Sequence, residues 1–250
     1  MGTIAALWRH PIKSLGREPL EDVTLTAGQT FPWDRHWAVT HAQSKFDPSH
    51  PAWVSCRNFV IGSMNPCVAG TWATFDPQSA TITLRHAELE PLTFKPDVAA
   101  DQARFINWVN QLNLRVPATG IATPTSGRGF TDDSEPTVTL MNTASHTAVE
   151  DFHGGPLEKE RWRGNIWIDG LSPWEEFNWL DRDIQVGDAI IRPHERTERC
   201  MHTAANPHTG ERDADTLGLL KAGFGHQDFG VAGVVIKSGR VARGDQVSVL

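Results

Sequence analysis

The sequence predicts a mainly β fold of the α+β class, two β-barrel-like domains with a few short helices, and three observations carry that expectation. Short segments rich in Val, Ile, Thr and Trp recur along the chain, bounded by Gly, Pro, Asp or Ser. Few helical segments lie between them, which favours antiparallel barrels over a doubly wound sheet. At 250 residues the chain has room for two domains of about 100 to 150 residues each.

The predicted strands are, in order, "TIAALWRHPI", "HWAVTHA", "GTWATFD" turning into "ATITLRH", "PTVTLMN", "GNIWIDG", "IQVGDAIIRP", "FGVAGVVIKSG" and "QVSVL". Three helices are predicted. "DQARFINWVNQL" sets Phe105, Ile106, Trp108, Val109 and Leu112 at helical spacing. "NTASHTAVEDFHGG" opens at a capping Asn142 or Thr143 and stops at Gly154 and Gly155. "SPWEEFNWL" carries Ser172 as N-cap, Pro173 at the first helical position and Glu175 three residues on. Residues 117–136 are rich in Pro, Gly, Thr and Ser and too long for a bland connection. They read as a linker that doubles as a site loop, dividing the chain into domains 1–116 and 117–250.

Composition excludes several function classes. A formal net charge of -7 with no Lys/Arg block argues against nucleic-acid binding, which needs a basic surface. No apolar run approaches the ~20 residues of a membrane span. The N-terminus "MGTIAALWRHPIKS" lacks a signal-peptide core, so the expected setting is cytoplasmic, away from membranes. Three cysteines, at 56, 67 and 200, fit reduced thiols better than a disulfide framework. Ten Trp and no Tyr is unusual but points to no function.

The stretch "TERCMHTAANPHTGERD" concentrates the chemistry. Cys200 reads as a small buried hydrophobe, or as a reactive thiolate favoured by Arg196 and Arg199, the form that attacks or ligates. A zinc site from Cys200, His202 and His208 is a third reading, though no Cys-x-x-Cys accompanies it. Cys56 and Cys67 carry no motif and read as structural. Neither a dinucleotide-binding glycine pattern nor a P-loop is present, so nucleotide chemistry is not expected. Lys13, Arg35, Arg163 and Asn165 sit where strands begin or end, and singly each reads as a solvated strand end. Ser145 opens a helix, whose free N–H groups favour an anion. Together the five could form a phosphate pocket.

In their order along the chain, "LWRHPIKSLGREPLEDVTLTAGQ", "WDRHWAV", "FTDDSEPTVTLMNTAS", "RWRGNIWIDGLSPWEE", "ERCMHTAANPHTGERD" and "FGVAGVVIKSGRVARGDQVSVL" resemble the two-domain MOSC (molybdenum cofactor sulfurase C-terminal) family with its N-terminal β-barrel. The resemblance covers residues 3–45 and about 130–250 and is similar in type to amidoxime-reducing proteins and their bacterial relatives. It implies a molybdenum cofactor with Cys200 as catalytic metal ligand, a soft thiolate suiting the metal. It places Lys13, Arg35, Ser145, Arg163 and Asn165 around the pterin and phosphate, with Thr143 and Arg199 as secondary members. It implies reduction of small N-hydroxylated substrates, or alternatively a non-catalytic cofactor carrier or a persulfide-holding sulfur-transfer protein; a family-level link to pyridoxal phosphate accompanies it. Too few cysteines are present for a four-cysteine iron–sulfur site, so a separate electron-transfer partner (ferredoxin, flavodoxin or reductase) is expected. Three departures from the family pattern stand out: His10 replaces an aromatic before the proline, Glu198 stands two residues before Cys200 where a small polar residue is usual, and Gly164 replaces a proline.

Overall fold

A computed structural model describes residues 1–125 and 127–250. The elements are β1 (Gly2–Arg9), β2 (Glu18–Leu20), β3 (Asp22–Leu25), β4 (Ala38–His41), β5 (Trp72–Asp76), β6 (Thr81–His86), β7 (Leu89–Phe94), α1 (Ala99–Asn110), β8 (Ala118–Ala122), β9 (Thr137–Asn142), α2 (Thr143–His153), β10 (Ile166–Asp169), β11 (Ile184–Val186), β12 (Ala189–Glu198), α3 (Thr216–Phe224), β13 (Asp228–Lys237), β14 (Gly239–Ala242) and β15 (Gln246–Val249).

The fold is mostly β, as expected. Strands β1, β10, β9, β13, β12, β11 and β15 pair in that order and close on β1 as a barrel. The β9–β10 pair is parallel and the other barrel pairs are antiparallel. Closure leaves no bare barrel edge, and alternate side chains such as Ile4, Leu140, Ile166, Ile191 and Val231 fill the interior. Three register shifts interrupt the pairing of β12 with β13, the last between Arg196 and Glu198. Such bulges bend a strand and re-aim its side chains, and this one lies just before Cys200.

A second core lies under the three-stranded sheet β5–β6–β7 and the pair β4–β8. The helical face read from the sequence is the one α1 buries: Phe105, Trp108, Val109 and Leu112 are all buried, with Ile106 packed alongside. Most of the tryptophans are packing residues. Trp37 stacks on Trp33 with centroids 5.8 Å apart, and Trp162 stacks on Phe229 at 4.2 Å.

Strands β1 and β2 belong to the barrel sheet and β3 pairs with β14, so strands of the first 25 residues pair with the second half of the chain, while Ile12 and Leu15 between them pack in the other core. Within the expected linker, residues 118–122 form β8 on β4. Composition hid that strand, because "ATGIA" is short and glycine-containing, and its partner across the sheet fixes it. The helix expected at "SPWEEFNWL" is a 3-10 turn over Glu175–Trp179, and only half the capping box forms: the Ser172 N–H donates to Glu175 Oε2 (2.9 Å). Helix α3 at "TLGLLKAGF" had no sequence-level signal strong enough to be read, although Asp215 caps it on the Gly218 N–H (3.0 Å).

Candidate functional site

A cleft of about 970 Å³ runs along β9, β12 and β13, lined by Thr137 and Thr139, by the residues that lead into β10, and by the last residues of β12 up to Cys200. Lys13, Arg35, Arg163, Asn165, Arg199 and Cys200 all line it, so six of the eight site residues expected from sequence converge on one space.

Two loops from the N-terminal region bring Lys13 and Arg35 there. The Lys13 N–H donates to the Trp37 carbonyl (2.7 Å) and the Arg35 N–H to the His10 carbonyl (2.6 Å). Below them lies a fully buried pair: Asp34 Oδ1 accepts from the His10 backbone N–H (2.7 Å) and its ring Nδ1 (2.9 Å). The other oxygen of Asp34 takes Arg35 Nη1, whose Nη2 donates to the Arg163 carbonyl (2.8 Å). The unusual His10 is therefore a brace for the arginine loop. Arg35 and Arg163 hold left-handed φ angles of 50° and 49°. A non-glycine residue costs about 1–2 kcal/mol there, and surrounding bonds must fix it.

Burial, with the nearby Arg163 charge, pushes the His10 ring down to about 3 from its ordinary 6.5. Between those values the unfolded chain binds a proton the native state refuses, so stability falls as pH drops through that window. Between pH 7 and 4.5 the wild type should lose about 2–3 kcal/mol more stability than His10→Asn. Parallel pH profiles of denaturation midpoints for the two proteins would refute this.

The cations outnumber their carboxylate partners. Arg163 is buried and donates only to carbonyls, Nη1 to Gly16 (3.2 Å) and Nη2 to Ile12 (3.4 Å). Burial first, then the charges of Arg35 and Arg17, hold its pKa well below that of a free guanidinium. Crowding of this kind favours a bound anion. Arg199 is likewise tied to carbonyls, Nη1 to Trp162 (2.8 Å) and Nε to Phe229 (2.9 Å), and burial lowers it to about 10. Asn165 is buried and satisfied: its Oδ1 accepts from Thr139 Oγ1 (3.0 Å) and its Nδ2 donates to the Trp8 carbonyl (3.2 Å). It braces the parallel pair at the cleft floor.

Cys200 is exposed. Its carbonyl accepts from the Thr203 N–H (3.1 Å) and hydroxyl (3.0 Å), which anchors the backbone as a 3-10 turn begins. The packing-residue reading therefore fails. The thiolate reading also changes: desolvation raises the thiol above its ordinary value, outweighing the His202 N–H and the Arg199 charge, which pull it down. Arg199 has its guanidinium turned to backbone carbonyls, which explains its limited help. The zinc set does not form either. His202 is buried against Gly62, where any Cβ would sit 2.2 Å from its Nδ1, while His208 packs near Trp72 with centroids 5.8 Å apart. Among the described residues, the three donors that do come within 4.8 Å of one another are Asp133, His194 and Glu195, a group that includes neither Cys200 nor His202 although Asp133 and Glu195 line the same cleft.

Thr143 and Ser145 lie outside the cleft. Thr137 and Thr139, at the start of β9, line it, whereas α2 begins past the far end of that strand. The side chains at the helix start turn to an internal acid: Ser145 Oγ donates to the buried Glu176 carboxyl group (2.9 Å), as does Asn142 Nδ2 (2.7 Å), and burial raises the Glu176 pKa. Thr143 Oγ1 bonds the Ile168 carbonyl (3.0 Å). Sequence reading missed Asp132, Cys56 and Arg161, all of which line the cleft. Cys56 had been read as structural, and no local motif marks any of the three.

Over 93 residues the chain is 29% identical to "Molybdenum cofactor sulfurase" of Drosophila mojavensis; the match covers 37% of this chain and 12% of that much longer protein. In structure it is similar to the YuaD protein from Bacillus subtilis (TM-score 0.46, 10% identity, 100% of this chain and 96% of that one). It is also similar to YiiM from Geobacillus stearothermophilus (TM-score 0.36, 17% identity, 45% of this chain and 53% of that one). Residues 1–115 match the MOSC N-terminal beta barrel domain and residues 128–248 match the MOSC domain. With both modules present in order across nearly its whole length, the chain belongs to the two-domain MOSC family, a molybdenum-cofactor-binding family.

Proposed function

We propose that the protein is a molybdenum-cofactor oxidoreductase that reduces N-hydroxylated compounds, with Cys200 as the metal's protein ligand and Lys13, Arg35 and Arg163 facing the cofactor's phosphate. One observation carries the reading: an accessible thiol and a set of cations short of carboxylate partners share one cleft. The residues fit the group. Among the described residues Arg163 has no acid bonded to it, and Thr197 Oγ1, on the strand running into Cys200, is buried without a hydrogen-bond partner. A soft thiolate beside an anion pocket matches a metal held on a phosphorylated pterin.

When bound, the cofactor supplies a two-electron redox centre for removing oxygen from nitrogen. The net change takes in two electrons and two protons per N-hydroxy group and releases one water. The chain itself fixes the ligand and the phosphate, and Cys200 gives up its raised proton on metal binding. Glu198 and Asp228, opposite each other across β12 and β13, place two carboxylates beside Cys200 as a proton route. No redox cluster ligand set is apparent among the three cysteines, which supports a separate electron donor in a reducing compartment. Among the described residues no helix is long and apolar enough to cross a membrane.

The test is expression in hosts with and without cofactor synthesis, followed by metal analysis and an N-hydroxy-substrate assay with an artificial donor. Stoichiometric molybdenum and turnover only from the competent host are expected. Metal-free protein from that host would overturn the reading. A second reading, persulfide transfer through Cys200, draws on the name of the Drosophila mojavensis relative and the exposure of this thiol. A persulfide mass shift on Cys200 without reductase turnover would favour it.

A further inference from the structure

Lys13, like Arg35 and Arg161 in the same cleft, has a carboxylate partner, and its partner is the most exposed of these acids. The Lys13 side chain is 4% exposed, its partner Asp132 75% exposed, and Nζ lies 2.5 Å from Asp132 Oδ1. A lysine ammonium has three donors. One is fixed by the Phe130 carbonyl (2.8 Å), so Lys13 keeps its place whether or not Asp132 stays. Among the described residues, Lys13 is the only hydrogen-bond partner of the Asp132 carboxylate.

The loop carrying Asp132 is held on either side of it. Arg128 Nη1 donates to Thr131 Oγ1 (2.9 Å) and Nη2 to the Asp133 carbonyl (2.7 Å), and Asp133 Oδ2 meets His194 Nε2 at 2.8 Å. The backbone is thus pinned while one side chain projects into the cleft. A rotamer change, with no loop movement, suffices to move the carboxylate from Lys13 into solvent. Asp132 also acts on the rest of the pocket: Arg163, Arg199 and His202 all feel its charge.

We propose that Asp132 is a built-in competitor for the phosphate pocket, a carboxylate that neutralises Lys13 in the empty cleft and swings out when a phosphate-bearing ligand arrives. This rests on the phosphate-pocket reading above. The exchange is chemically even: one oxyanion replaces another on the same ammonium, and the released carboxylate is solvated at once because it is already mostly exposed. The arrangement spares the protein an unpaired buried ammonium before loading. Its consequence is a weaker apparent affinity for phosphate than the cations alone would give.

The probe is inorganic pyrophosphate, titrated calorimetrically into the full chain prepared free of cofactor. Asp132→Asn should bind it about tenfold more tightly than wild type, Asp132→Glu within about twofold of wild type, and Lys13→Met at least tenfold more weakly. In the double variant the gain from Asp132→Asn should vanish, because its effect runs through Lys13. A purely structural role for Asp132 would not produce that dependence. Unchanged or weaker binding by Asp132→Asn, while Lys13→Met still weakens it, would sink the competitor and leave the phosphate pocket standing. Absence of binding by both wild type and Asp132→Asn would remove the pocket itself.

Discussion

Cys200→Ser is expected to lower N-hydroxy reduction by at least about 100-fold while the phosphorylated pterin stays bound within about threefold of wild type. The two effects separate because different groups carry them. Serine offers a hard, reluctantly ionised oxygen where the metal centre calls for a soft thiolate. The cations proposed to face the phosphate lie elsewhere in the cleft and are untouched by the change. The fold should hold as well, since Cys200 is exposed and the bonds that fix it run through its carbonyl to Thr203. Steady-state turnover with an artificial donor, read beside pterin fluorescence and metal content, checks both halves. Wild-type turnover in the variant would remove Cys200 from the chemistry.

Arg163→Met should show the converse signature. Two charge-assisted hydrogen bonds to a phosphate are worth roughly 1.5–3 kcal/mol each, so cofactor retention should fall by about 100-fold or more. Stability should change far less than binding. The variant leaves the Gly16 and Ile12 carbonyls without a donor, which costs stability, but it relieves repulsion among Arg163, Arg35 and Arg17, which restores some. Cofactor content after gel filtration, with thermal midpoints as control, decides the matter. Full retention would show that Arg163 only bridges the two halves of the chain.

The contrast between Arg163 and Ser145 shows how far a linear reading reaches. Both were candidates for a phosphate pocket on sound local physics. Arg163 precedes β10 and lines the cleft; Ser145 follows β9, and its hydroxyl turns instead to the buried Glu176. Local sequence specifies what a group can bind, whereas tertiary packing specifies what it meets.

Asp132 makes the same point from the other side. Within "FTDDSEP" nothing distinguishes it from a solvated loop acid, and only a contact across 119 residues gives it Lys13 as a partner. Cys200 was singled out through the order of its motifs, yet its proton affinity was not legible, because desolvation in the cleft outweighs the charge of Arg199 beside it.

By itself the sequence determined the mainly β class, most strands, the buried face of α1 and the motif order that marks the MOSC family. These depend on periodicity, turn residues and short-range chemistry, all written along the chain. Tertiary structure decided that β1 closes the barrel of the other half, that six of the eight expected residues share a cleft, and that Asp132 pairs with Lys13. The physical reason is that burial, strand direction and electrostatic partnership are set by contacts between residues far apart in sequence, which no local pattern encodes.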